Sequence, residues 1–213
     1  MREPLGHTEM SGAVMIRSLP EPPLRIREAL RYSGADESFS AEAADCFDEC
    51  CGVLRYDVCF ERLPVRRCGD VLDLTFAETD SRDLGVCLAH CDEVIVFAAT
   101  VGIGIDRLIS KYSVISPSRA VLLQGLGAER IESLCDAFCD GIDENEPNGI
   151  RPRFSPGYGD LPLEFQRRIF DALDPPRRIG LSLNGSLLMS PSKSVTAIIG
   201  IIGDSTDRPS AAQ

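Results

Sequence analysis

The chain has 213 residues, 44% of them hydrophobic, and a formal net charge of −11. That length sets one domain as the default and supplies enough apolar residues for a sizeable core. The acidic balance argues against a nucleic-acid binder, which needs a basic face to displace counterions. No apolar run approaches the ~20 residues that span a bilayer.

Taken in chain order, residues 1–20 read as a loose arm, without the charged-then-apolar pattern of an export signal, so a cytoplasmic location is expected. A helix is expected from near Pro23, ending before Gly34, and another from Ala41 to about Leu54, followed by strand-like stretches over Tyr56–Leu63 and Val71–Phe76. Leu72, Leu74 and Phe76 form the apolar face of the second strand. Ser81 is read as the N-cap of a helix reaching about His90. Glu93–Thr100 is nearly all apolar and reads as a strand in the middle of a sheet. It leads through Gly102 and Gly104 into a short helix, Ile105 to Tyr112.

The longest helix, about 117–140, starts at Ser116-Pro117 and stops at Gly141. Ile131, Leu134, Cys135 and Phe138 share its apolar face, with Glu132 on the flank. Gly125 and Gly127 lie inside it, which close packing against a neighbour would explain. After a turn-rich stretch, Glu144 to Asp160, a helix is expected over Leu163–Leu173. Strands are expected over Arg178–Leu183 and Val195–Ile202, and the tail 204–213 reads as disordered. Helices and strands interleave without a regular βαβ period. The expected class is α+β: a mixed, mainly antiparallel twisted sheet with flanking helices, built as a single unit over 21–203.

Nine cysteines, with no export signal, should be reduced thiols. Cys46/Cys50, Cys87/Cys91 and Cys135/Cys139 have helix-face spacing, which suits buried small hydrophobes as well as a metal or redox role. There is no CxxC pair, so a metal site is not expected. Gly102-x-Gly104 after an apolar strand suggests a nucleotide-binding turn, yet Arg107 stands where the third glycine belongs. It is read as a strand-to-helix turn, and a nicotinamide oxidoreductase is discounted.

The segment with most chemical content is Arg153-Phe154-Ser155-Pro156-Gly157-Tyr158-Gly159-Asp160. Arginine offers a planar fork of donors for a carboxylate or phosphate. The glycines let backbone N–H groups approach a ligand, and Tyr158 adds a flat face and a hydroxyl. Two readings stay open on these grounds: a loop that holds a small zwitterion, or a surface turn in which Arg153 pairs with a neighbouring acid.

Arg153-x-x-x-Gly157-Tyr158 resembles the S-adenosylmethionine motif of the activation (reactivation) domain of cobalamin-dependent methionine synthase. Leu181–Pro191, with Met189-x-Pro191, and Ser194-Val195-Thr196 resemble that family's closing segment. Phe97–Gly102, Ile105-Asp106 and the long helix resemble its stand-alone relatives. The resemblance covers about Asp92 to Gly203. It implies S-adenosylmethionine as cofactor, with Arg153 on the ligand carboxylate and Glu132 on its ammonium group. It places Pro156, Gly157 and Ser190 around the rest of the ligand and Tyr158 beside the reacting methyl. Neither His7 nor His90 lies in the family's Asp-x-His-x-x-Gly cobalamin motif. Cobalamin is therefore expected only through a partner, a cobalamin-binding methionine synthase or other corrinoid protein, with a flavodoxin-like electron donor. The function so implied is reductive methylation of that partner's corrinoid. The alternatives are a non-catalytic S-adenosylmethionine- or corrinoid-linked regulator and a cysteine-based metal or redox protein.

Overall fold

The computed structural model describes residues 13–203. Residues 1–12 of the expected arm, with His7, and the tail 204–213 lie outside them. The elements in chain order are β1 (Met15–Ser18), α1 (Ile26–Ser33), α2 (Ser40–Cys50), β2 (Asp57–Pro64), β3 (Arg66–Cys68), β4 (Val71–Asp73), β5 (Glu78–Thr79) and α3 (Arg82–Cys87). They continue with β6 (Cys91–Thr100), α4 (Gly104–Ile115), α5 (Pro117–Asp143), α6 (Gln166–Leu173), α7 (Pro175–Ile179), β7 (Ser182–Leu183), β8 (Met189–Ser190) and β9 (Ser194–Ile202).

The main sheet has the order β1-β2-β6-β9, with every neighbouring pair antiparallel. The expected α+β class is the observed one. β6 takes the central place its apolar sequence calls for, and it is buried on both faces. Ile95, Phe97 and Ala99 join one core with α1, α2, α4 and α5, while Val94, Val96 and Ala98 join a second core with α3, α6 and α7. In the first core Phe138 of α5 packs its ring 5.0 Å from Phe60 and 5.1 Å from Phe97. The expected apolar face of α5 is buried as read: Ile131, Leu134, Cys135 and Phe138 are all inside.

The two glycines within α5 have the predicted cause. A Cβ on Gly125 would lie 2.4 Å from the Ala29 carbonyl oxygen of α1, and one on Gly127 would lie 2.9 Å from the Lys193 side chain. These close approaches outweigh the ~1 kcal/mol that each glycine costs a helix.

Several expectations are corrected. Met15–Ser18 is an edge strand paired with β2, where a loose arm to residue 20 is expected; its partner lies some 40 residues away and leaves no local signal. The Val71–Phe76 strand ends at Asp73, because Thr75 turns to a φ of 71° with its N–H bonded to Asp73 Oδ1. Leu72 and Leu74 are buried all the same. Gly141 does not stop α5, which runs on to Asp143 with Ile142 still buried. Ser116 occupies the N-cap position without a side-chain cap bond. Residues 175–179 form α7, led by Pro175 at its first turn, where the sequence suggests a strand from Arg178.

Candidate functional site

The chain from Ile150 to Phe154 lies along the outer edge of β9. Arg151 N–H bonds Gly200 O at 2.8 Å, and Phe154 exchanges two bonds with Ile198 at 2.9 Å each. This pairing fixes which arginine faces α5. Arg151 turns to the Ala89 carbonyl at 2.8 Å, so the nearby Arg151-Pro152 does not compete for the motif. Arg153 reaches the flank of α5, where its guanidinium donates to Asp136 Oδ1 at 2.7 Å and to Glu132 Oε2 at 3.2 Å. All three side chains are partly exposed, at 24, 41 and 38%. The pairing of Arg153 with a neighbouring acid, one of the two open readings, is therefore present. The pairing is open to solvent on one side.

Asp136 was not singled out from sequence, although it lies one turn beyond Glu132 on the same face, the i,i+4 spacing that puts two side chains together. Its second oxygen, Oδ2, accepts from Arg25 at 2.9 Å. Arg25 also donates to Ser133 Oγ at 2.8 Å and to Glu129 Oε1 at 3.4 Å. Of the two acids beside Arg153, Asp136 is thus tied to the residue just before α1. The neighbouring Cys135 thiol is pushed up to about 12 and that of Cys139 to about 11 by burial, so both stay protonated and are not nucleophiles at neutral pH.

Beyond Arg153 the chain makes a tight turn. Pro156 is buried. Gly157 has a φ of 93°, in the range that favours glycine, and its N–H bonds Leu161 O at 2.8 Å. Tyr158 is 62% exposed, with its ring edge-on to Phe154 at 6.4 Å. Gly159 is required by packing, since a Cβ there would fall 2.2 Å from Asp83 Oδ2. Asp160 accepts from Arg82 N–H at 2.8 Å and from the Ser81 hydroxyl, which holds its carboxyl below the usual range and pins the turn to the start of α3.

Arg153 and Glu132 are therefore in contact, and Pro156, Gly157 and Tyr158 follow on the same turn. Ser190 stands in a different element, β8, where its carbonyl accepts from Ser182 Oγ at 3.1 Å. Among the described residues no group of three or more His, Cys, Asp and Glu side chains is placed to hold a metal. No helix among them is long and apolar enough to cross a membrane.

No protein-family model matches the chain, and no curated protein matches it. Among solved structures it is similar to a crystal structure of the MetH reactivation domain bound to AdoHcy. The identity is 17% and the TM-score 0.64, over 93% of this chain and 81% of that one. The protein thus has the methionine synthase activation-domain fold, and a likeness over 93% of the chain reaches well beyond the half that carries the motifs.

Proposed function

We propose that the protein binds S-adenosylmethionine along the Arg153–Tyr158 turn and supports reductive methylation of a corrinoid carried by a separate protein. The observation that carries this is the accessible Arg153–Asp136–Glu132 cluster beside a Gly157-Tyr158 turn, in a fold shared with a domain crystallised with AdoHcy. The methionine end of the ligand is a zwitterion. Arg153 takes its carboxylate through charge-assisted hydrogen bonds. The acids that Arg153 releases take the ammonium group, with Asp136 the closer of the two. Gly157 allows close backbone approach, and the exposed Tyr158 ring offers a face to the sulfonium cation.

In the reaction proposed, the ligand's methyl group passes to the reduced cobalt of the partner's corrinoid, and S-adenosylhomocysteine remains. An electron donor of the flavodoxin class supplies the single electron that reduces the cobalt beforehand. The residues of this chain bind and orient the methyl donor.

Calorimetric titration of S-adenosylmethionine into wild type and Arg153→Ala tests the reading. Saturable binding that weakens at least about ten-fold, the scale of one charge-assisted contact, is expected. Equal affinity in the two proteins would remove Arg153 from the site. A reactivation assay with a cobalamin-loaded partner then separates catalysis support from ligand sensing alone.

A further inference from the structure

A cavity of about 630 Å3 opens between the start of β2, the β6–α4 turn, the first turns of α4, the end of α7 and Pro191. Arg153, Gly157 and Tyr158 do not line it. Its walls include Val53, Ile103, Leu108 and Ile179, and its charged groups are Arg55, Arg107 and Lys111 against Asp57 alone. The whole chain has 33 acidic and 22 basic residues, so a cleft with three cations to one anion departs from the surface around it.

Two of these cations already have acidic partners. Arg55 pairs with Asp57 at 3.0 Å and Lys111 with Glu49 at 3.0 Å, with the cationic side chains 73 and 53% exposed. The acids are more buried, at 9 and 27% exposure, but the cationic ends lie at the surface, where they can also reach an incoming anion. Arg107 is exposed and has no acidic partner among the described residues. It is the residue that breaks the glycine fingerprint after β6, and in the fold it supplies charge to the cleft that the Gly102–Gly104 turn helps to line.

Among the described residues Arg107 is the unpaired cation of the cleft, and Arg55 and Lys111 can turn to the same anion. Three cationic groups therefore converge on the cleft, and guanidinium forks suit the tetrahedral oxygens of a phosphate. A bare ion would leave most of the volume and the apolar walls unused, and the volume lies within the range of small-molecule sites. We propose that this cleft binds a small organic phosphate monoester, at a site separate from the Arg153 turn.

The test is calorimetric titration at low ionic strength with phenyl phosphate and inorganic phosphate as probes, neither of which contains adenosine or a zwitterion. Saturable binding is expected, with phenyl phosphate tighter than inorganic phosphate by about five-fold or more through its apolar ring. Arg107→Ala should weaken phenyl phosphate by about five-fold or more, the loss of one charge-assisted contact, and leave S-adenosylmethionine binding and the unfolding temperature unchanged. Arg153→Ala should leave phenyl phosphate binding unchanged, so the two sites fail or hold independently. Absence of saturable binding, equal affinity for the two probes, or equal affinity in wild type and Arg107→Ala would each overturn the proposal.

Discussion

Asp136 lies between two arginines from distant parts of the chain, its Oδ1 2.7 Å from Arg153 and its Oδ2 2.9 Å from Arg25. The second contact decides what happens when a zwitterion arrives. If the ligand carboxylate takes Arg153, Asp136 keeps its charge and its position through Arg25, while Glu132 has no comparable second arginine. Asp136→Asn is therefore expected to weaken S-adenosylmethionine binding by about ten-fold or more, or ~1.4 kcal/mol, and Glu132→Gln by less. Calorimetry on both variants gives the ranking, and unchanged affinity in Asp136→Asn would exclude it as the ammonium partner.

Two glycines of α5 should respond to alanine with opposite signs. At Gly125 the added methyl meets the Ala29 carbonyl at 2.4 Å and the Ser33 backbone nitrogen at 2.7 Å, so α1 must shift. A loss of about 1–3 kcal/mol is expected, as for other overpacked contacts. At Gly141 the nearest atom is the Arg17 guanidinium at 3.9 Å, and the backbone is helical. Alanine there should gain up to about 1 kcal/mol. Urea unfolding of both variants measures the difference; a neutral Gly125→Ala would mean that α1 and α5 separate easily.

The same two positions show what the sequence could disclose. A glycine inside a strong helical pattern costs stability, so Gly125 and Gly127 pointed to close packing before any partner was visible. The uninterrupted apolar run of β6 likewise pointed to a strand covered on both faces. β1 could not be found that way, because all four of its residues are exposed and its strand partner is the distant β2. Gly141 carried a stop signal that the burial of Ile142 overrides. At the site, Arg153 and Glu132 were legible through a motif. Asp136 was legible only through helical spacing, and Arg25 not at all, since its approach depends on how α1 docks on α5.

That docking rests on a buried ion pair. Glu129 and Arg130 are both fully buried, and Arg130 also donates to the carbonyls of Pro22 at 2.7 Å and Pro23 at 2.9 Å. Arg130→Met would leave Glu129 charged and short of a donor, and both proline carbonyls bare. Breaking one side of such a pair costs about 3–5 kcal/mol. The expected result is a large fall in the urea midpoint, partly recovered in the Glu129→Gln/Arg130→Met double variant. A midpoint within error of wild type would show that the segment before α1 does not depend on this pair.

Thiol reactivity should follow burial rather than helix-face spacing. Burial pushes the Cys50 and Cys135 thiols up to about 12 and those of Cys59 and Cys139 to about 11, whereas Cys51 and Cys68 are exposed. Only the thiolate is the nucleophile, so at pH 8 roughly one in a thousand or fewer of those four groups, three buried and Cys139 half-buried, is reactive. The sign for stability follows from the same shifts. A thiol whose folded value is raised stabilises the fold below its unfolded value, near ~8.5, and that contribution fades as pH climbs through 11 to 12. Iodoacetamide at pH 8 should therefore label Cys51 and Cys68 in the folded protein and reach Cys50, Cys59, Cys135 and Cys139 only after denaturant, read by mass spectrometry. Thermal stability should decline steadily above pH 9. Rapid labelling of Cys135 in the folded protein at pH 8 would mean that the α5 flank beside Arg153 opens far more often than its packing implies.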